Sequence, residues 1–147
     1  MEQFICIMFV ALVGAFMAIQ PAVNAALSAQ WAKSSLLAAT ASFAVGLVAL
    51  VACLVVTRTS VPWSTMGTTS WWHWLGGLMG ACFVVVLTYA APKLGAVTIS
   101  VVVVAAQLMM AVILDHFGLF GYAQRNFDIW RGLGLVLVFF GVLLVRR

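Results

Sequence analysis

No charged residue stands between Lys33 and Arg58, and none between Lys93 and Asp115. A chain that keeps stretches of this length free of charge has few folds open to it. About 20 apolar residues cross a hydrocarbon core of roughly 30 Å when wound as an α-helix. The rest of the chain agrees: of 147 residues 66% are hydrophobic and 7% charged, and the mean hydropathy is +1.22. Soluble domains carry about 25% charged residues, so this chain cannot cover a water-facing surface. The expected fold class is an all-α integral membrane protein.

Proline, glycine and hydroxyl clusters divide the chain into five expected transmembrane helices, at about 3–30, 36–56, 71–91, 94–114 and 129–145. Lys33, Ser34 and Ser35 make a tight turn, and "TRTSVPWSTMGTTS" reads as a loop. The tryptophans of "WWHW", Trp71 to Trp74, mark the headgroup level where the third helix begins. Pro92, Lys93 and Gly95 separate the third helix from the fourth, and "DHFGLFGYAQRNFD" is the last loop. The segment "VTISVVVV" has strand propensity, but an isolated strand in lipid leaves its backbone groups unsatisfied, so helix is expected there. With no soluble segment and no linker, residues 1–147 form a single transmembrane domain. Glu2 is the first charge and no clear A-x-A site follows the first apolar run, so a retained helix is expected rather than a cleaved signal peptide.

Five spans put the termini on opposite sides. Arg58, Arg125 and Arg131 share the side of the N-terminal amine; Lys33, Lys93, Arg146 and Arg147 share the other. The positive-inside rule needs an excess on one face, and this distribution supplies none. Either one charge near the first helix decides the orientation, or the chain inserts both ways. In the second case the natural assembly is an antiparallel homodimer, an inverted-topology arrangement of ten helices. Small residues at four-residue spacing permit close helix contact: Gly14, Ala18, Ala22 and Ala26; Ala38, Ser42 and Gly46; Gly76 and Gly80. The scattered basic residues make no patch for nucleic acid and fit lipid headgroups instead. Cys6, Cys53 and Cys82 have no paired spacing, so neither disulfide nor metal is expected, and no cofactor.

Against this apolar background "AIQPAVNAALSAQ" stands out. Gln20, Asn24 and Ser28 recur every four residues and share one helix face, with the alanine stripe nearly opposite. Pro21 lacks an N–H, leaves the Met17 carbonyl without its helical donor, and is expected to break the helix. Broken helices with amides at the midplane are how transporters hold substrate. The competing reading is that Gln20 and Asn24 bond a neighbouring helix, worth ~0.6–2 kcal/mol. Gln107 is a second intramembrane amide, on the face of the fourth helix that carries Ser100. Asp115 and His116 close that helix, where a carboxylate needs a cationic partner such as Arg125 or Arg131; they serve either as structure or in coupling and gating. Tyr89 is an interface anchor or a ring lining the cavity. No Asp or Glu lies mid-span, so a neutral or zwitterionic small-molecule substrate fits better than a lipophilic cation exchanged for protons.

The chain resembles the YdcZ family of the drug/metabolite transporter superfamily. The resemblance rests on "QPAVNAAL", "WLGGLMGACFVV", "APKLGAV", "AQLMMAVILDHFG" and "RGLGLVLVFFGVLLV". Ala106 and Met109 to Ala111 depart from the glycine and serine expected around the glutamine in that family. The resemblance implies a short five-span protein of the bacterial inner membrane, of a kind found as single dual-topology chains, oppositely oriented pairs or fused doubles. No catalytic set converges within one loop, so an enzyme is not expected. The function expected is a secondary active transporter: an exporter of a small polar or aromatic metabolite or toxic compound, by alternating access in a dual-topology homodimer. A dual-topology channel, or a half-transporter needing an oppositely oriented partner chain, are the alternatives. Paired C-terminal reporters, one active in the cytoplasm and one outside it, are expected both to give strong signals. A signal from one alone would mean a single orientation and a required partner.

Overall fold

The computed structural model describes residues 1–145; Arg146 and Arg147, which enter the charge balance above, lie outside the described residues. Those residues contain no strand, and "VTISVVVV" is helical. The reason is the medium: only a helix bonds all its backbone N–H and C=O groups within one segment. Six α-helices follow in order: α1 (Glu2–Leu27), α2 (Ser35–Val56), a single turn α3 (Trp63–Met66), α4 (Leu75–Leu94), α5 (Ala96–Phe117) and α6 (Ile129–Val145). A 3-10 turn over Trp71–Trp74 leads into α4. Four segments are long and apolar enough to cross a membrane: Glu2–Ala32, Ser35–Val56, Trp71–Leu94 and Ala96–Phe117. The described part of α6 has 17 residues, a length of roughly 25 Å at the short end of the spanning range.

The chain divides into two compact units, Met1–Lys93 and a second from Leu94 onward. In the first unit α1 runs through Pro21 without interruption, which corrects the expected break. Proline removes one N–H, but its fixed φ is itself helical, so the backbone loses a bond and keeps its path. The irregularity lies further on, in a π-helical turn over Ser28–Ala32. The turn ends at Lys33 in the left-handed region (φ 53), whose N–H donates to the Ser28 carbonyl at 2.7 Å while its Nζ donates to the Ala29 carbonyl at 2.6 Å. Ser34 then caps α2, its Oγ accepting the Leu37 N–H at 3.4 Å, so Ser35 belongs to the helix rather than the turn. Ala32, Ala38 and Ala39 are buried at this hairpin, where nothing larger than a methyl holds the backbones apart. The loop before α4 carries the helical turn α3, which the Pro62, Gly67 and hydroxyl residues around it do not signal. A Cβ built on Gly80 of α4 would lie 3.8 Å from the Phe43 ring of α2.

The boundary expected at Pro92 moves to Gly95. Helix α4 continues through Pro92 to Leu94, and Gly95 (φ 75) makes the break before α5. In the second unit α5 ends three residues later than expected, at Phe117, with Gly118 in the left-handed conformation (φ 61) and its N–H facing the Leu114 and Asp115 carbonyls. The loop folds back onto this terminus. Arg125 N–H donates to the Asp115 carbonyl at 2.7 Å, and Gln124 Nε2 donates to the His116 carbonyl at 3.2 Å. These bonds supply carbonyls that a helix end otherwise leaves unpaired. Asp128 caps α6 by accepting the Arg131 N–H at 2.8 Å, and the Phe127 ring lies so close to Gly132 that a Cβ there would sit 3.0 Å from it.

Gly118→Ala is expected to lower stability by about 1–2 kcal/mol, the cost of a left-handed non-glycine residue, with added crowding because the new Cβ meets Gln124 Cβ at 3.3 Å. Unfolding of the detergent-solubilised chain measures it; an unchanged midpoint would show that the corner relaxes freely.

Candidate substrate site

Helix α1 brings Gln20, Pro21 and Asn24 to one place, against Phe83, Val84 and Leu87 of α4. The spacing explains the grouping: residues four apart stack on one face, and Pro21 lies beside them. Together they line a crevice too tight for a water molecule. Asn24 is 3% exposed, and its Nδ2 has no hydrogen-bond partner. A buried, unsatisfied amide costs about 1–3 kcal/mol, and in a chain this apolar a leucine could have stood in its place.

Thr88, one turn beyond Val84, is the other buried polar side chain among the described residues. It satisfies itself by donating from Oγ1 to the Val84 carbonyl at 2.7 Å. Its isolated hydroxyl in "FVVVLTY" was the signal that could have singled it out. Of these two buried polar side chains Thr88 is paired locally and the Asn24 Nδ2 is not.

The remaining candidates fall elsewhere. Ser28 opens the π-helical turn and is half-buried. Tyr89 is exposed, with Lys93 Nζ 3.5 Å from its ring centroid, a cation–π contact at the end of the span. In the second unit Ser100 is half-buried and Gln107 exposed, both on α5. Asp115 pairs with Arg131, Nη1 to Oδ2 at 3.3 Å; Arg125 joins through its backbone rather than its guanidinium. His116 Nδ1 accepts the Phe127 N–H at 3.2 Å, a bond that needs the ring's lone pair at Nδ1 and places its proton on Nε2. Asp115 and His116 are thus part of the corner that joins α5 to α6.

Apolar helices of spanning length, almost devoid of charge, define a multi-pass integral membrane protein. The sequence profile of the family described as "Putative inner membrane exporter, YdcZ" matches residues 5–144. The chain belongs to that family, and is thereby an inner-membrane transporter rather than an enzyme. Neither a curated protein nor a solved structure matches it.

Asn24→Leu removes the unpaired amide at nearly constant volume. It is expected to raise the stability of the chain by about 1–3 kcal/mol, read from unfolding in detergent. A loss of stability would mean that Asn24 is satisfied in the folded protein.

Proposed function

We propose that the protein is a secondary active exporter of small neutral or zwitterionic metabolites or toxic compounds, working by alternating access as an antiparallel homodimer. The observation that carries this reading is Asn24, an amide buried in a membrane helix with no partner of its own. A buried donor kept open at a stability cost is what a binding site requires and what helix packing does not. Gln20 adjoins it, Gln107 is the second amide proposed to meet substrate, and Ser28, Ser100 and Tyr89 are further polar contacts along the route. Asp115 and His116 take a coupling or gating role through the α5–α6 corner.

The homodimer is supported by the even charge balance and by how little of itself one chain buries. Among the described residues the buried apolar side chains are Pro21, Ala32, Ala38, Ala39, Val84 and Ile99. Large apolar faces are left for lipid and for a second copy. With α6 as a fifth span, two oppositely oriented chains give ten helices, and exchange of the protomers' roles interconverts inward-open and outward-open states.

Proteoliposomes holding the purified chain are expected to show saturable, counterflow-stimulated uptake of neutral aromatic solutes. Asn24→Ala and Gln107→Ala should each lower that uptake about tenfold or more while cross-linked dimers persist. Full uptake in both variants would make the amides structural, and a flux that never saturates would make the protein a channel.

A further inference from the structure

Gln20 lines two spaces in the first unit. One is the crevice that holds Asn24. The other is an open groove of about 290 Å³, lined also by Ser42, Phe43, Gly46, Leu47 and Leu50. No charged side chain lines either space. An ion entering them would leave its water without a counter-charge, which costs several kcal/mol, so charged compounds are disfavoured. The groove is largely apolar, with roughly twice the ~150 Å³ of an apolar cavity that takes benzene, room for a body of one or two rings.

The polar end of the ligand is set by Asn24. Its buried Nδ2 is a donor without an acceptor, and the crevice admits no water to supply one. A ligand that carries an acceptor supplies the missing partner when Phe83 and Leu87 yield to it. Gln20 lines both spaces, so a body lying in the groove with its acceptor at the Gln20 end borders the crevice that holds Asn24. We infer that this two-part site takes uncharged compounds with a one- or two-ring apolar body and a hydrogen-bond acceptor at one end, the acceptor going to Asn24 Nδ2. The inference rests on the transporter reading above and narrows its neutral or zwitterionic substrate class to neutral compounds.

Four probes of one shape test it: acetophenone, isopropylbenzene, 1-phenylethylammonium and benzoate. The full chain in lipid nanodiscs is titrated calorimetrically with each, and protein-free nanodiscs give the lipid background. Acetophenone is expected to bind saturably and about tenfold more tightly than each of the other three. In Asn24→Leu its affinity should fall to that of isopropylbenzene. Leu47→Trp, which fills the groove from an exposed position, should weaken acetophenone and isopropylbenzene alike. Equal binding of acetophenone and isopropylbenzene overturns the inference, as does tighter binding of either charged probe. So does an acetophenone preference that survives Asn24→Leu, or no saturable binding of any probe. The two readings fail separately. Acetophenone bound as expected but never moved across proteoliposomes removes the transporter and leaves the site; saturable transport of other solutes without acetophenone binding does the reverse.

Discussion

Everything in this molecule follows from one requirement: in hydrocarbon, each backbone N–H and C=O must find its partner within the protein. Helix is the answer for the long apolar segments, including the valine run of α5 that strand propensity would claim. The same requirement acts hardest where helices end. Ser34 and Asp128 accept the N–H groups that open α2 and α6. The Lys33 ammonium and N–H take carbonyls at the end of the π-helical turn. At the foot of α5, Gly118 and the returning loop take the carbonyls of Leu114, Asp115 and His116.

That requirement makes the polar side chains informative. A hydroxyl in a membrane helix can bond the carbonyl four residues back, as Thr40, Thr57 and Thr88 do. An asparagine has no such local solution in this structure. Asn24 is therefore a standing cost that local structure does not relieve. Under the function proposed above, keeping it trades stability for binding, the pattern expected where function holds a group in readiness. Pro21 beside it removes one helical bond without breaking α1, which leaves the Met17 carbonyl short of its usual donor.

The α5–α6 corner shows how far a short loop can be specified. Asp115 serves twice, its carbonyl taking the Arg125 and Gly118 N–H groups and its carboxylate pairing with Arg131. His116 also serves twice, its carbonyl taking Gln124 and its ring taking Phe127. The need for a cationic partner at Asp115 was legible from the helix dipole, but which arginine supplied it was not. Arg125 is closer in sequence, yet the loop turns its backbone toward Asp115 and leaves the guanidinium of Arg131, in the first turn of α6, to make the pair. Residue spacing does not encode such a reversal.

The sequence by itself determined the medium and the helical class, which depend on composition, the family, which rests on its motifs, and the face shared by Gln20 and Asn24, which depends on the 3.6-residue period alone. Only the tertiary structure decided that α1 passes Pro21 and loosens at Ser28 instead, that α4 outlasts Pro92, and that Phe83, Val84 and Leu87 close over Asn24. It alone separated Asn24 from Thr88, two polar residues that the sequence could rank only by type. Whether a polar group is satisfied depends on which atoms lie within about 3 Å of it, and that is fixed by how helices pack, not by the order of residues along one of them.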